Sequence, residues 1–89
     1  MARKKFKRVV DNKMRDFGDT DIEKRIIRVN KKKSRKHPKG IIDTVIHEEL
    51  HALHPRMHEK TVRKLTNKAL INMSPKRKAD LLAGFSRTP

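Results

Sequence analysis

The sequence predicts an α+β fold: a small antiparallel sheet of two or three strands packed on about three helices. Three observations carry that prediction. Apolar residues near the start fall in short β-branched runs, "RVV" and "RIIRV", which suit a pleated, half-buried surface. From Ile41 the apolar spacing changes to that of a helix face. Pro55 and the pair Ser74-Pro75 then divide the remainder into helical segments.

The elements follow in order. The opening "MARKKFKRVV" carries a basic leader, residues 1–8, into Phe6, Val9 and Val10, and the β-branched pair predicts a short edge strand. Gly18-Asp19-Thr20-Asp21 reads as a turn, and "RIIRV" as the strand that pairs antiparallel with the first. Residues 31–40, "KKKSRKHPKG", hold no apolar residue except Pro38 and read as a solvated connection. Ile41, Ile42, Val45, Ile46, Ala52 and Leu53, with Leu50 alongside, mark a helix with a wide apolar face. Pro55 disfavours helical geometry at His54, so this helix stops near Leu53 or His54. A second helix starts near His58 or Glu59, with Val62, Leu65 and Ala69 as its apolar stripe and Arg63, Lys64 and Lys68 turned to solvent. Ser74 suits an N-cap and Pro75 a first turn; Ala79, Leu81, Leu82 and Phe85 give the third helix something to bury, and Gly84 helps to end it. The whole reads as one domain, with its core over residues 15–72 and a C-terminal helix over 74–85.

Composition narrows the function classes. At 89 residues a domain buries only about 60% of its unfolded surface, so the core is thin. The 25 Lys plus Arg against 10 Asp plus Glu leave a formal charge of +15, which attracts phosphate polymers without implying any particular groove-reading element. The absence of cysteine excludes disulfides, thiolate nucleophiles and cysteine zinc sites. No apolar run approaches the roughly 20 residues of a membrane span, and the start lacks the apolar stretch of a signal peptide. The expectation is a soluble cytoplasmic protein with no membrane partner.

The chemistry concentrates in "IHEELHALHPRMHE", residues 46–59. His47-Glu48-Glu49-Leu50-His51 matches H-E-x-x-H, and on a helix positions four apart share a face, so both imidazoles can reach one zinc ion. Glu48 beside them can take a proton from a metal-activated water. The apolar neighbours Ile42, Val45, Ile46, Leu50 and Leu53 describe a half-buried helix, which holds a ligand pair in place. A catalytic zinc usually has three protein ligands, and the candidates for the third are His54, His58 and Glu59. His54 lies about two turns from His47, roughly 10.5 Å along a straight helix, and reads better as a supporting or substrate-facing group. Glu59 is preferred, because a chain reversal at "HPRM" brings the opening turn of the next helix to the histidine pair. His58 is the runner-up, with an N-terminal or oxyanion-donor role as its alternative.

"TVIHEELHAL" together with the "HE" at 58–59 resembles the zincin metallopeptidases, most closely the very small SprT-like or gluzincin-type domains. The likeness spans residues 15–65. It implies His47 and His51 as ligands, Glu48 as general base, Glu59 as the gluzincin-type third ligand, and an edge strand, here "RIIRVN", that pairs with an extended peptide. The metzincin continuation would place Gly at position 54 and His at position 57, where this chain has His54 and Met57; no histidine follows His58, where SprT-like proteins commonly carry a third. With no tyrosine to steady a tetrahedral intermediate, His54, Arg56, His58 or His37 would have to serve.

The leading expectation is therefore a zinc-dependent peptidase acting on protein or peptide. The alternative is a basic module contacting DNA or RNA through "MARKKFKR", "KKKSRK" and "SPKRK", its metal site structural or vestigial.

Overall fold

A computed structural model describes residues 6–85. The β-branched runs form strands β1 (Lys7–Val10) and β3 (Ile26–Val29), and between them in sequence lies β2 (Gly18–Asp21). The sheet order is β1-β3-β2, which makes β3 the central strand. Four helices follow: α1 (Lys31–Ser34), α2 (Gly40–Leu53), α3 (Glu59–Asn72) and α4 (Pro75–Ala83). The fold is α+β. Residues 1–5 of the expected leader lie outside the described residues, while Lys7 and Arg8 belong to β1.

The sheet is mixed where a purely antiparallel one was expected. β1 runs parallel to β3, and β2 runs antiparallel to it. The physical reason is the connection: a parallel pair needs about a dozen residues or more to return the chain, and residues 11–25 supply them. The Gly18-Asp19-Thr20-Asp21 segment, expected as a turn, is strand β2. Its residues have little strand preference of their own, and tertiary placement overrides it. Gly18 backs directly onto α2: a Cβ there would meet Arg28 O and Thr44 Cγ2 at 2.8 Å and Glu48 Cγ at 3.2 Å. Cross-strand pairing of Asp19 with Arg28, whose guanidinium also reaches Asp11, holds the opposite face.

Val10, Ile27, Val29, Val45 and Phe85 make the buried core, with Phe6, Ile41, Ala52, Leu81 and Leu82 packed against it. Alternation along β3 explains the choice, since Ile27 and Val29 share one face and both are fully buried. Phe85, just past α4, is fully buried, whereas Leu53 at the end of α2 is 51% exposed, contrary to its expected place on the apolar face. Arg8 on β1 grips the Glu49 carboxylate on α2 through two nitrogens, which ties the sheet edge to the helix.

Helix boundaries follow local chemistry. Gly40 opens α2 with φ of 75°, a left-handed conformation that glycine adopts without penalty. His54 ends α2 before Pro55. The Ser74 hydroxyl caps α4 by accepting from the Arg77 N–H at 3.2 Å, with Pro75 in the first turn. The 31–40 segment, expected as a wholly solvated connection, contains the single-turn α1, capped by Asn30.

Candidate metal centre

The apolar spacing of α2 buries Val45 and Ile46 and leaves His47 and His51 half-buried on an adjoining face, one turn apart. The break at residues 54–58 reverses the chain, and α3 begins with Glu59 directly over the pair. His47 Nε2 lies 2.7 Å from Glu59 Oε1, His51 Nε2 lies 2.9 Å from Glu59 Oε2, and the two Nε2 atoms are 3.2 Å apart. One ligand atom from each of the three residues falls within 4.8 Å of the others. Tetrahedral zinc with ligand bonds of 2.0–2.1 Å separates its ligand atoms by about 3.3 Å, so the three groups already stand near the required spacing. Two imidazoles and a carboxylate are also a common zinc donor set.

Burial holds the His47 pKa below the ordinary histidine value, against the opposing pull of Glu59, with Arg63 and His51 adding to the lowering. A neutral ring at physiological pH is the form that can ligate a metal. His47 Nδ1 is buried and has no hydrogen-bond partner among the described residues.

Glu48 sits on the sheet side of α2, 8% exposed. Thr20 on β2 donates through Oγ1 to Glu48 Oε1 at 2.8 Å and approaches the Glu48 carbonyl at 3.1 Å. Burial raises the Glu48 pKa above the ordinary carboxylate range; the Thr20 bond and His51 oppose the rise. A raised pKa makes this carboxylate a stronger proton acceptor than an ordinary one.

A cleft runs past these groups. Near the helix turn it is lined by Thr20, Ile22, His47, His51, Pro55 and Glu59. Its other arm, sharing Gly18, His47 and Glu48, is lined by Phe17, His37, Asp43 and Arg63. β2 forms the cleft wall and is an outer strand of the sheet. Asn30 N–H donates to Phe17 O at 2.7 Å, which sets the phase of the antiparallel ladder: the backbone groups of Phe17 and Asp19 turn toward β3, and those of Gly18 and Thr20 turn outward. The segment "RIIRVN", expected as the peptide-pairing edge, is instead central β3, with neighbours on both sides; β2 has the free edge beside the site.

The remaining candidates are dispersed. His58 caps α3, its Nδ1 accepting from Lys60 N–H at 3.4 Å, and stands outside the three-residue group. His54 and Arg56 line a separate depression with Leu53, Pro55 and Met57. His37 does line the cleft and approaches Asp43 Oδ2 at 3.5 Å. Arg63, expected as a solvent-facing residue, donates to Asp43 Oδ1 at 2.7 Å.

Sequence reasoning missed Gly18, Thr20, Asp43 and Arg63. A signal for Asp43 was present: an acid inside the apolar run "GIIDTVI", one turn before His47 on the same helix. Thr20 has none, because its partner lies 28 residues away. Protein-family models, curated proteins and solved structures give no match to this chain.

Proposed function

We propose that this chain is a minimal zinc-dependent metallopeptidase. The observation that carries the reading is the convergence of His47 Nε2, His51 Nε2 and the Glu59 carboxylate from one helix hairpin, with Glu48 next to the first ligand. His47, His51 and Glu59 would hold a zinc ion, which would supply Lewis acidity for a carbonyl and a water of lowered pKa, about 7. Glu48 accepts the proton of the attacking water at its carboxylate and delivers it to the leaving amine; its raised pKa favours both halves of that exchange. Thr20 keeps the carboxylate in position from the strand side. The outward backbone groups of Gly18 and Thr20 can hold an extended peptide by strand addition along the cleft, which makes unfolded segments and peptides the substrate class. His37 and Arg63, both held by Asp43, line the pocket beside His47 and Glu48, and in this reading they are the candidates to steady negative charge on the substrate carbonyl. The setting in this reading is the cytoplasm, where a chain without cysteine is indifferent to the reducing environment.

The test pairs metal binding with turnover. The parent and Glu48→Gln should each bind one zinc, while only the parent cleaves a mixed peptide library. Equal cleavage by the two removes Glu48 from the reaction, and absence of stoichiometric zinc binding by the parent removes the proposal.

A further inference from the structure

Five of the ten carboxylates of this protein meet arginine or histidine. Asp11 and Asp19 meet Arg28, Glu49 meets Arg8, Asp43 meets Arg63 and His37, and Glu59 meets the histidine pair. Among the described residues no lysine forms a salt bridge.

Two lysine-rich segments, 31–39 and 76–78, lie far apart in sequence, and one residue of each lines the same groove. Lys39 and Lys78 line it together with Ile42, Leu70 and the exposed Ile71, and Lys39 Nζ donates to Asn67 Oδ1 at 2.7 Å. The first segment is also firmly set. Asn30, 3% exposed, accepts from Lys33 N–H and donates to Met14 O, both at 2.9 Å. Ser34, fully buried, donates to Phe17 O at 3.2 Å, and its oxygen lies 3.1 Å from the Thr44 hydroxyl, from which it can accept. With Ser34 as its buried anchor, α1 leaves Lys32, Lys33, Arg35 and Lys36 exposed. At the opening of α4, next to Lys78 in sequence, Lys76 and Arg77 are both exposed.

We infer that this surface, from α1 across the Lys39–Lys78 groove to the start of α4, binds the phosphate backbone of a nucleic-acid duplex. Cations fixed on a folded frame can neutralise a row of phosphates and release their counterions with little ordering cost. The aromatic inventory favours a duplex over an unpaired strand: Phe85 is buried, Phe6 packs against the core, and Phe17 is engaged edge-on by the His37 ring at 5.1 Å, with Lys33 Nζ 5.2 Å from its centroid. No row of free rings is present, among the described residues, on which successive bases could stack. Binding here involves no metal ligand and is independent of the peptidase reading.

The test follows salt dependence with short mixed-sequence DNA and RNA duplexes as probes. One triple variant, Lys32→Gln/Lys36→Gln/Lys76→Gln, removes charge from the band; a control, Lys7→Gln/Lys24→Gln/Lys60→Gln, removes the same charge elsewhere. Circular dichroism first establishes that both remain folded. The band variant should bind at least about tenfold more weakly and lose about 0.9 from the log–log salt slope for each phosphate contact removed, while the control keeps the parent slope. The DNA and RNA arms identify which duplex is preferred, and either preference supports the inference. Equal losses in both triples would reduce the effect to net charge and overturn it. So would no duplex binding by the parent at low salt, or binding confined to phosphatidylserine vesicles.

Discussion

At Glu48, burial makes the ionised side chain less favourable in the folded protein than in the unfolded chain, since its pKa is raised above the ordinary value. Its contribution to stability is fully present below the unfolded pKa, where both states are protonated, and is lost as pH rises through the folded pKa. Glu48→Gln, which can still accept the Thr20 hydrogen bond, should therefore melt above the parent at neutral pH without metal. The gain should vanish below the ordinary carboxylate range; melts followed by circular dichroism at the two pH values check it. Gly18 gives a steric prediction of the opposite sign. Alanine there would press a methyl group against Arg28 O and Thr44 at 2.8 Å, forcing β2 away from α2 at a cost of about 1–3 kcal/mol. A urea titration measures the loss, which should be accompanied by weakened peptidase activity as Thr20 leaves Glu48.

Helices α2 and α3 form a ladder with two rungs. Asp43 and His47 are one turn apart on α2, Glu59 and Arg63 one turn apart on α3, and they meet as Asp43–Arg63 and His47–Glu59, each at 2.7 Å. The upper rung sets the register in which Glu59 reaches the histidines. Arg63→Ala should lower zinc affinity about tenfold, within the range of outer-shell substitutions, and the same change in a Glu59→Ala background should have no further effect. Calorimetric titration of the four proteins completes the cycle; equal losses in both backgrounds would mean that Arg63 acts by some route other than Glu59. At this scale, what could be read from sequence was what is decided locally. Pro55 and Ser74-Pro75 fix where α2 ends and α4 begins, and the H-E-x-x-H spacing places both imidazoles on one face. The parallel pairing of β1 with β3 could not be read, because it depends on the route of the chain through β2. Nor could the strand at Gly18–Asp21, whose residues take that conformation only because β3 and α2 enclose them.

For the molecule as a whole, one thin apolar cluster serves both sheet and helices, with Phe85 as its closing piece. Bound zinc should therefore add visibly to stability. At free zinc 100 times the dissociation constant the folded state gains about 2.7 kcal/mol, which for a domain of this size raises Tm by about 10–20 °C. Scanning calorimetry with zinc, with chelator and with His47→Ala/His51→Ala checks the figure: the double variant should show no zinc-dependent rise. Among the described residues no helix is long and apolar enough to cross a membrane. The candidate site itself joins contacts of two ranges. The three donor residues close over a short hairpin, while Glu48 meets Thr20 across 28 positions, and the entropy of closure grows with that separation. If the proposed function holds, ion capture needs only two neighbouring helices, whereas orientation of Glu48 waits for the sheet. On that proposal a nascent or partly opened chain would be loaded but idle until Thr20 reaches Glu48.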